Sequence, residues 1–479
     1  MDGIQRRLTR RHFLAISGGV IGTAILAACG ATASPTAAPA AKATEAPQAT
    51  TAAATATTAP AAAATAAKVS LDFWNPAGDK VGKQIIDSLV ASYNEKSTVA
   101  TVKNTVVPSE DNYAKYTTAI SAGTPPDAIM TYWYGPIVSW AAEGFILPMD
   151  DYQEKMGIKK EDYFPVVWQM INFHGHLWGF LQEFDFDIIS YNKNLFKVAG
   201  LDPEAPPKTI VDLDAMNEKL TVKDSSGGLK QVGFCQWIGR DFAYTLWWRM
   251  FGGGFYDNVN DKFTIVTDPN IKCLDWYNST GKLLGGPDKV TSFTNLFTGG
   301  ADPFYQEQVA IGMQGEYDPQ NNWPASAPKA MDHLGLAWPP TAEGVPYGTG
   351  QTDGGNVFLL PKGVKNPSAS MDFMTFMGGP EAVLKWNVEE NNIPPVKAVA
   401  LSDDFAKATP LMKPWIELLK QDKMGPAITS PLAPFFFDHL STAVQEVLYG
   451  KKDSKQSLTD LTQVMDEEAA KFKSSHPNW

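Results

Sequence analysis

The order of apolar patterns over residues 69–142 constrains the fold of this chain more than any other feature. Residues 69–74 alternate apolar and polar side chains, as in a strand, and residues 81–93 then carry apolar side chains at the four-residue spacing of a helix face. The same succession follows twice more, with strands predicted at 99–107 and 126–130. Such alternation predicts a parallel sheet covered by helices on both faces. The fold class is therefore α/β, with ligands expected beyond the carboxyl ends of the strands.

A sorting signal precedes this region. A twin arginine stands directly before the apolar run 13–28, whose 16 residues are fewer than the ~20 that a membrane-spanning helix needs. The arrangement resembles a twin-arginine export signal. The run ends in Leu-Ala-Ala-Cys29, which looks like a bacterial lipobox. These resemblances imply a signal peptide over residues 1–28, cleavage before Cys29 and lipidation of its thiol, although an ordinary signal with an unrelated cysteine is the alternative.

A low-complexity segment separates Cys29 from the α/β region. Twenty of the 38 residues from 30 to 67 are Ala, most of the others are Thr or Pro, and no aromatic or large aliphatic side chain occurs. Such a composition buries too little apolar surface to offset the entropy of folding. We predict a disordered tether over residues 29–67 and a folded body from Lys68.

The charge of the chain excludes one class of partner. The formal net charge is −12, and without residues 1–28, which sum to +3, it is −15. A protein this acidic lacks the basic surface that nucleic acids require. The 14 tryptophans, in contrast, exceed what a core of this size needs, and surplus aromatic rings often line binding clefts. Cys235 and Cys273 are interpreted as buried free thiols, with a disulfide as the alternative.

Five short motifs of the folded body lie at residues 121–127 (Ser-Ala-Gly-Thr-Pro-Pro-Asp), 143–150, 190–201, 308–313 and 366–374. No one motif is decisive, but their order and spacing are specific. Together they resemble the extracellular solute-binding proteins of the maltodextrin-binding type, and the likeness covers most of residues 69–400. The resemblance implies a two-lobed periplasmic-binding-protein fold of type II, which closes at a hinge on its ligand. It also implies delivery of a small molecule to the permease of an ABC importer.

The resemblance places the chain crossings between the lobes at 185–188, at 348–351 and near residue 400. The first lobe would then comprise 68–186 with 352–400, and the second lobe 187–351 with 401–479. We expect a monomer on the outer face of the cell membrane, held there only by the lipid on Cys29.

A sugar presents hydroxyl groups around an apolar ring face, so its site needs aromatic rings together with carboxylates and amides. Side chains of these types stand on the predicted strand ends, at the crossings and in the second lobe. The predicted ligand-binding residues are Trp74, Trp133, Tyr134, Glu183, Asp185, Trp237, Arg240, Trp247, Trp248, Glu316, Tyr317, Asp353 and Asn356.

Some of these residues have competing interpretations. Trp74, Trp133 and Tyr134 are expected on strand-to-helix loops, where they either contact ligand or pack against their own loops. Trp247 and Trp248 are neighbours on a predicted helix, about 100° apart, so one is expected in the core and one near the ligand. The family often has Trp where this chain has Tyr317, so the resemblance implies a smaller stacking ring at this position.

Other functions remain open at this point. His174 and His176 have the spacing of a metal pair, but they fall in a predicted hairpin turn and no third ligand stands out. A carbohydrate-active enzyme could use a carboxylate pair such as Glu183 and Asp185. The same fold could also bind a polyamine, a phosphorylated polyol or a peptide. We predict a carbohydrate-binding receptor, with an oligosaccharide as the favoured ligand and with no catalytic residues, metal or cofactor.

Overall fold

The computed structural model describes residues 67–78, 80–108, 112–132, 137–153, 157, 159–297, 302–319, 324, 327–352, 354–477 and 479. The predicted signal peptide, Cys29 and the tether to residue 66 lie outside the described residues, as do Trp133, Tyr134 and Asp353. Residues Lys68–Trp479 fall in one compact unit.

Short strands run through the whole described body. Their bounds are β1 Val69–Asn75, β2 Ala100–Val106, β3 Ala128–Thr131, β4 Asn172–Phe173, β5 His176–Leu177, β6 Phe180–Leu181, β7 Ile188–Asn192, β8 Val222–Lys223, β9 Leu229–Gln231, β10 Tyr256–Asp257, β11 Lys262–Phe263, β12 Ile311–Gln314, β13 Leu334–Ala337, β14 Gly350–Gln351, β15 Val357–Leu359 and β16 Met424–Gly425.

Helices follow most of the longer strands and dominate the last 80 residues. Their bounds are α1 Lys80–Lys96, α2 Asn112–Ser121, α3 Ile137–Ala142, α4 Asp150–Gln153, α5 Pro165–Ile171, α6 Lys193–Val198, α7 Ile210–Leu220, α8 Leu246–Met250, α9 Asp268–Leu284, α10 Pro287–Thr294, α11 Pro367–Met377, α12 Pro380–Glu389, α13 Lys397–Ala400, α14 Asp403–Ala408, α15 Lys413–Leu419, α16 Ala433–Leu448 and α17 Ser454–Ser475.

Among the described helices, none is long and apolar enough to span a membrane.

Local sequence signals account for several of these boundaries. Thr209 accepts a hydrogen bond from the Asp212 amide and Asp212 accepts one in return, which is the capping box that starts α7. Asn192 caps α6 in the same way, by accepting from two backbone amides of the first turn. Gly285 ends α9 with φ +89°, a conformation that glycine adopts without a Cβ penalty.

The five-stranded sheet has the order β2-β1-β3-β15-β6. Its first three strands are parallel, as the sequence predicts for residues 69–131, with Val69 opposite Ala100 and Phe73 opposite Ala128. Strand β15 then pairs antiparallel with both β3 and β6. The sheet is therefore mixed, and its fourth strand comes from far along the chain.

A second sheet of three strands has β7 at its centre, between β12 and β13. Both pairings are antiparallel, with Ile189 opposite Met313 on one side and Ala337 on the other. All five residues of β7 are buried, so the strand is packed on both faces. Strand β12 of this sheet ends just before Glu316, one of the predicted site residues.

Two separate cores define two lobes. The first lobe, here the segments 69–188 and 357–419, packs around rings such as Phe73 and Phe373, whose centroids are 5.1 Å apart. The second lobe, here the segments 189–337 and 428–465, packs around Trp248, Tyr277 and their neighbours. Burial of each such ring contributes about 2–3 kcal/mol to folding, so each lobe has a substantial core of its own.

The change from one core to the other locates the chain crossings. Ile188 belongs to the first core and Ile189 to the second, so the first change falls inside β7, beside the predicted crossing at 185–188. The segment 403–419 packs into the first core, whereas the sequence analysis assigns it to the second lobe. The predicted lobe boundaries stay a prediction, and this packing favours a last crossing after Leu419 rather than near residue 400.

The two central crossings lie side by side. The Asp185 amide donates to the carbonyl of Gly354 at 3.0 Å, and the Thr352 hydroxyl donates to the carbonyl of Asp185 at 2.7 Å. A Cβ at Gly355 would lie 2.3 Å from the carbonyl oxygen of Glu183. Only glycine permits this approach of the two backbones.

The C-terminal end of the chain reaches back to the first lobe. Helix α17 packs in the second core through Leu458, Leu461 and Met465. Beyond it, the Trp479 ring lies 4.5 Å from the His174 ring and 6.1 Å from the Trp178 ring. The last helix therefore packs in the second core, and Trp479 beyond it contacts the first lobe.

Two further predictions concern the cysteines and the histidine pair. Cys235 and Cys273 are both buried free thiols, as interpreted, and burial raises the pKa of each. His176 lies in the β4–β5 hairpin, as predicted, with its Nδ1 atom 2.6 Å from Asp150. His174 instead faces Asp261 at 3.8 Å, so the two imidazoles have different carboxylate neighbours.

Candidate functional site

Three carboxylates meet at the junction of the two lobes. Glu183 follows strand β6, Asp185 lies in the first crossing, and Glu316 follows strand β12. One oxygen atom of each lies within 4.8 Å of those of the other two. We call Glu183, Asp185 and Glu316 the carboxylate cluster. All three residues are among those predicted from the sequence, and the fold brings them together from both sheets.

Glu183 accepts a backbone hydrogen bond and lies within hydrogen-bonding distance of the Asp185 side chain. The Asn356 amide donates to its Oε1 atom at 2.7 Å, so the predicted residue Asn356 stands at the carboxylate cluster. Only 2% of Glu183 is exposed, and its Oε2 atom has no hydrogen-bond partner among the residues that the structure describes. Burial, together with the charge of Asp185, raises the pKa of Glu183 well above its ordinary value.

Glu316 mirrors Glu183 from the second lobe. It is also 2% exposed, and its Oε2 atom likewise lacks a partner within the described part of the chain. Burial raises its pKa, and the charges of Asp185 and Glu183 raise it further. Tyr317, the next predicted residue, is only partly buried.

A second acidic group lies close by but has its own cation. Arg240 donates from Nε to the Oδ2 atom of Asp187 at 2.7 Å, and its NH2 nitrogen lies 2.5 Å from the same oxygen. The Tyr244 hydroxyl also donates to this oxygen, at 2.6 Å. Arg240, predicted to hold ligand, therefore pairs with a carboxylate of this chain, and about a quarter of its side chain stays exposed.

Trp74 lies at the carboxyl end of β1, the edge where ligands bind in such sheets. It is partly exposed, its Nε1 atom donates to Asp72 at 2.9 Å, and its ring is 6.1 Å from that of Tyr116. These contacts fix the orientation of the ring without burying it. Trp74 can therefore offer a ring face to a ligand.

The expectation for Trp247 and Trp248 is wrong in this structure. Both are fully buried. Trp247 packs on Phe234 and Trp276, and Trp248 on Phe255 and Tyr277, all with centroid distances of 4.9–5.2 Å. Helix α8 has only five residues and is enclosed by the second core, so its successive side chains are buried although they point in different directions.

Trp237 is also a core residue. It is 8% exposed and stacks on Tyr277 at 6.1 Å with an angle of 21° between the rings. Its predicted contact with ligand is therefore not available in this structure. Nine of the described tryptophans are buried in the two cores, five in the first and four in the second.

Sequence reasoning missed several polar residues of this region. Glu390, 6% exposed, adds a further negative charge near Glu183, and Tyr244 completes the contacts of Asp187. Arg249 lines a small cavity of about 80 Å³ together with Gln351, and burial lowers its pKa. A charged residue directly after an apolar run, as in Trp-Trp-Arg249, was the one available signal.

Comparison with known proteins identifies the family to which this fold belongs. The family model "Bacterial extracellular solute-binding protein" matches residues 73–384. An uncharacterized ABC transporter extracellular-binding protein of Pyrococcus horikoshii, PH1214, is 25% identical over 354 residues, which cover 72% of this chain and 75% of the relative. The sn-glycerol-3-phosphate-binding periplasmic protein UgpB of Escherichia coli K12 is 28% identical over 193 residues, only 37% of this chain and 43% of UgpB.

Solved structures agree with the fold. CpMnBP1 with mannotriose bound is 25% identical, and the match has a TM-score of 0.70 and covers 83% of this chain and 99% of that protein. The predicted two-lobed α/β fold is thereby confirmed. The family also places the folded body outside the cytoplasm. The chain belongs to the bacterial extracellular solute-binding proteins.

Proposed function

We propose that this solute-binding protein binds a carbohydrate, most simply a short oligosaccharide, between its two lobes and delivers it to the permease of an ABC transporter. The observation that carries the proposal is the likeness to CpMnBP1 with mannotriose bound over 99% of that protein's length. Two features of the site support it. Trp74 offers a ring at the strand edge, and the carboxylate cluster offers unpaired acceptor oxygens to sugar hydroxyls.

The acidic residues at the junction of the lobes disfavour a phosphorylated cargo. The partial likeness to UgpB suggests a phosphorylated polyol as an alternative. The carboxyl groups of Glu183, Asp185, Glu316 and the nearby Glu390 converge here, and each one that is ionised would repel a phosphate placed between them. Because these acidic residues lie at the junction of the lobes, a neutral or cationic cargo fits the junction better than an anionic one.

We propose a binding role rather than catalysis for these carboxylates. Retaining glycosidases hold their two carboxyl groups about 5–5.5 Å apart, with the sugar between them. In the carboxylate cluster one oxygen of each residue lies within 4.8 Å of those of the other two, and Glu183 and Glu316 are almost completely buried. This arrangement leaves little room for a scissile bond.

The proposal includes the position of the protein in the cell. Residues 1–28 would be removed as a signal peptide, Cys29 would carry the lipid, and residues 30–67 would tether the folded body as a monomer to the outer face of the membrane. Metabolic labelling with a radioactive fatty acid tests the anchor. Label in the wild type that disappears in Cys29→Ser supports it, and equal label in both contradicts it.

Calorimetric titration of the chain from Lys68 onward with mannotriose, maltotriose, spermidine and glycerol 3-phosphate tests the cargo. We expect heat from a sugar, and recovery of that sugar unchanged. Trp74→Ala should weaken sugar binding tenfold or more, whereas Trp74→Phe, which keeps a ring face, should retain most of it. Heat from glycerol 3-phosphate alone would overturn the carbohydrate proposal.

A further inference from the structure

Trp74, the ring that the proposed function offers to cargo, has Asp72 as its neighbour on the same strand face. One residue of β1 separates the two, so their side chains extend from the same face of the sheet. The Trp74 Nε1 atom donates to the Oδ2 atom of Asp72 at 2.9 Å. We propose that Asp72 is a positioning residue for cargo binding, which fixes the plane of the Trp74 ring before the cargo arrives. This inference rests on the proposed function, because it assigns an orienting group to the same stacking ring.

Asp72 is itself held from two directions. The Thr105 hydroxyl, on the adjacent strand β2, donates to the Oδ1 atom of Asp72 at 2.6 Å. The Asp72 backbone amide donates to the Asp127 side chain at 2.9 Å, and the Asp127 amide donates back to the Asp72 carbonyl at 2.9 Å. One carboxylate oxygen is therefore anchored to the sheet, and the other faces the indole. A group that is fixed in this way holds the ring that it contacts in a defined position.

The contacts of Trp74 restrict the rotations of its side chain. Its ring centroid lies 6.1 Å from that of the buried Tyr116, with 42° between the planes, and a ring contact at this distance tolerates tilting. Because the Nε1–H bond lies in the indole plane, the direction from Nε1 to Asp72 lies close to that plane as well. The hydrogen bond therefore removes the tilt that the Tyr116 contact permits, and the partly exposed ring presents a face in a fixed direction.

A ring that is ordered before binding loses less entropy when cargo stacks on it. Immobilising a mobile side chain at an interface lowers affinity by a factor of about 3 to 10. The hydrogen bond to Asp72 orders the indole in the unliganded protein, so this loss does not accompany binding. Removal of Asp72 should therefore weaken sugar binding, but less than removal of the Trp74 ring does.

Asp72 also supports the pairing of β1 with β2, and this structural role differs from positioning. Lys103, its register partner on β2, is largely exposed and has its Nζ atom 4.0 Å from Oδ1 of Asp72. Loss of the Thr105 and Lys103 contacts would affect the sheet whether or not position 74 carries an indole. Trp74→Phe separates the two roles, because phenylalanine keeps a ring face but has no N–H to donate.

Calorimetric titration of the full chain with mannotriose and maltotriose measures the effect. Asp72→Ala should weaken sugar binding by about threefold in the wild type, but it should leave the affinity of Trp74→Phe unchanged. Asp72→Asn should bind as the wild type does, because its amide oxygen can accept from the indole while its NH₂ group donates to the Thr105 hydroxyl. Asp87→Ala is the matched control and should have no effect, since Asp87 on α1 also accepts from β2, through Asn104 at 2.6 Å.

The indole hydrogen gives a second measurement, which does not depend on cargo. In protein labelled with an NMR-active nitrogen isotope in tryptophan only, the Trp74 signal is the Nε1–H resonance that Trp74→Phe lacks. We expect this hydrogen to exchange with solvent faster in Asp72→Ala than in the wild type, and at the wild-type rate in Asp72→Asn. Equal exchange in all three proteins would overturn the proposal, because the ring would then not depend on Asp72.

The outcomes separate this inference from the proposed function. If sugar binds the wild type and Asp72→Ala equally, Asp72 does not position the ring, and the sugar receptor stands. The same conclusion holds if Asp72→Ala weakens binding in the Trp74→Phe background as much as in the wild type, because the effect is then structural. If neither sugar binds the wild type, the proposed function is wrong and the positioning role is wrong with it.

Discussion

Asp185 and Asp187 lie two residues apart in the same crossing, yet the protein surrounds them differently. Asp187 has an arginine and a tyrosine hydroxyl directed at one of its oxygens. Asp185 instead faces Glu183 and Glu316, which are acidic themselves. One acidic group is therefore neutralised by the chain, and the other is left for protons or for a ligand.

The difference separates structural charge from binding charge. A carboxylate that pairs with its own arginine stabilises the fold and changes little when cargo arrives. A carboxylate without such a cation lowers the stability of the unliganded protein. A ligand that compensates this carboxylate then raises the stability of the protein. This comparison yields three predictions, in order of decreasing effect.

Removal of the arginine should have the largest effect. Arg240→Ala leaves Asp187 buried without its cation, so we expect the free energy of unfolding to fall by about 3 kcal/mol. Urea denaturation measures this change. The control is Lys420→Ala, which removes an exposed ion pair with Glu417 and should cost less than about 0.5 kcal/mol. Equal losses in the two variants would remove the distinction between Asp187 and surface carboxylates.

The pH dependence of stability comes next. Glu183 and Glu316 keep their protons in the folded state at pH values where an unfolded glutamate, with a pKa of 4.5, has lost its own. The folded state then binds more protons, so the free energy of unfolding falls as pH rises from about 4.5 to the folded pKa. The slope reaches about 1.4 kcal/mol per pH unit for each proton retained.

Glutamine substitutions isolate this contribution. The double variant Glu183→Gln/Glu316→Gln should flatten the decline of the free energy of unfolding with rising pH. Urea denaturation between pH 5 and 8 measures this decline. Exposed carboxylates with lowered pKa, such as Asp224 and Asp460, act in the opposite direction, but only below their ordinary value of 3.8. A decline of unchanged slope in the double variant would show that other groups cause it.

The smallest effect should come from the tyrosine beside Asp187. Tyr244→Phe removes one hydrogen bond to a carboxylate that still has Arg240, so we expect a loss of about 1 kcal/mol. Thermal denaturation measures it. Tyr449→Phe, which removes an exposed hydroxyl contact with Asp288, is the control and should be nearly neutral. A loss as large as that of Arg240→Ala would mean that tyrosine, rather than arginine, dominates the contacts of Asp187.

The fold was predictable where local pattern and tertiary packing agree. Alternation in residues 69–74 and four-residue spacing in 81–93 reflect the buried faces of β1 and α1, except that Val81 in the first turn of α1 is exposed. The antiparallel place of β15 was not predictable, because three buried residues carry no information on their partners. The packing of 403–419 on the first core was not predictable either, since an amphipathic helix does not specify which core it covers.

The residues of the candidate site were likewise predictable only in part. Glu183 and Asp185 were recoverable because acidic residues beside buried strands are conspicuous and the family resemblance places a crossing there, and Glu316 because it follows the motif at residues 308–313. Trp247 and Trp248 were misjudged because helical geometry gives the angle between two side chains but not the extent of the surrounding core. Their rings are enclosed by residues from distant segments, such as Phe255 and Trp276.

The insertion of β15 between β3 and β6 also sets an order of events during synthesis. Residues 128–131 and 180–181 emerge from the ribosome long before residues 357–359, which must fill the gap between them. Until then the growing sheet lacks an interior strand and exposes backbone edges that favour aggregation. The first lobe to begin folding therefore cannot finish until the second is almost fully translated. For this chain, chaperone protection should matter most over that interval.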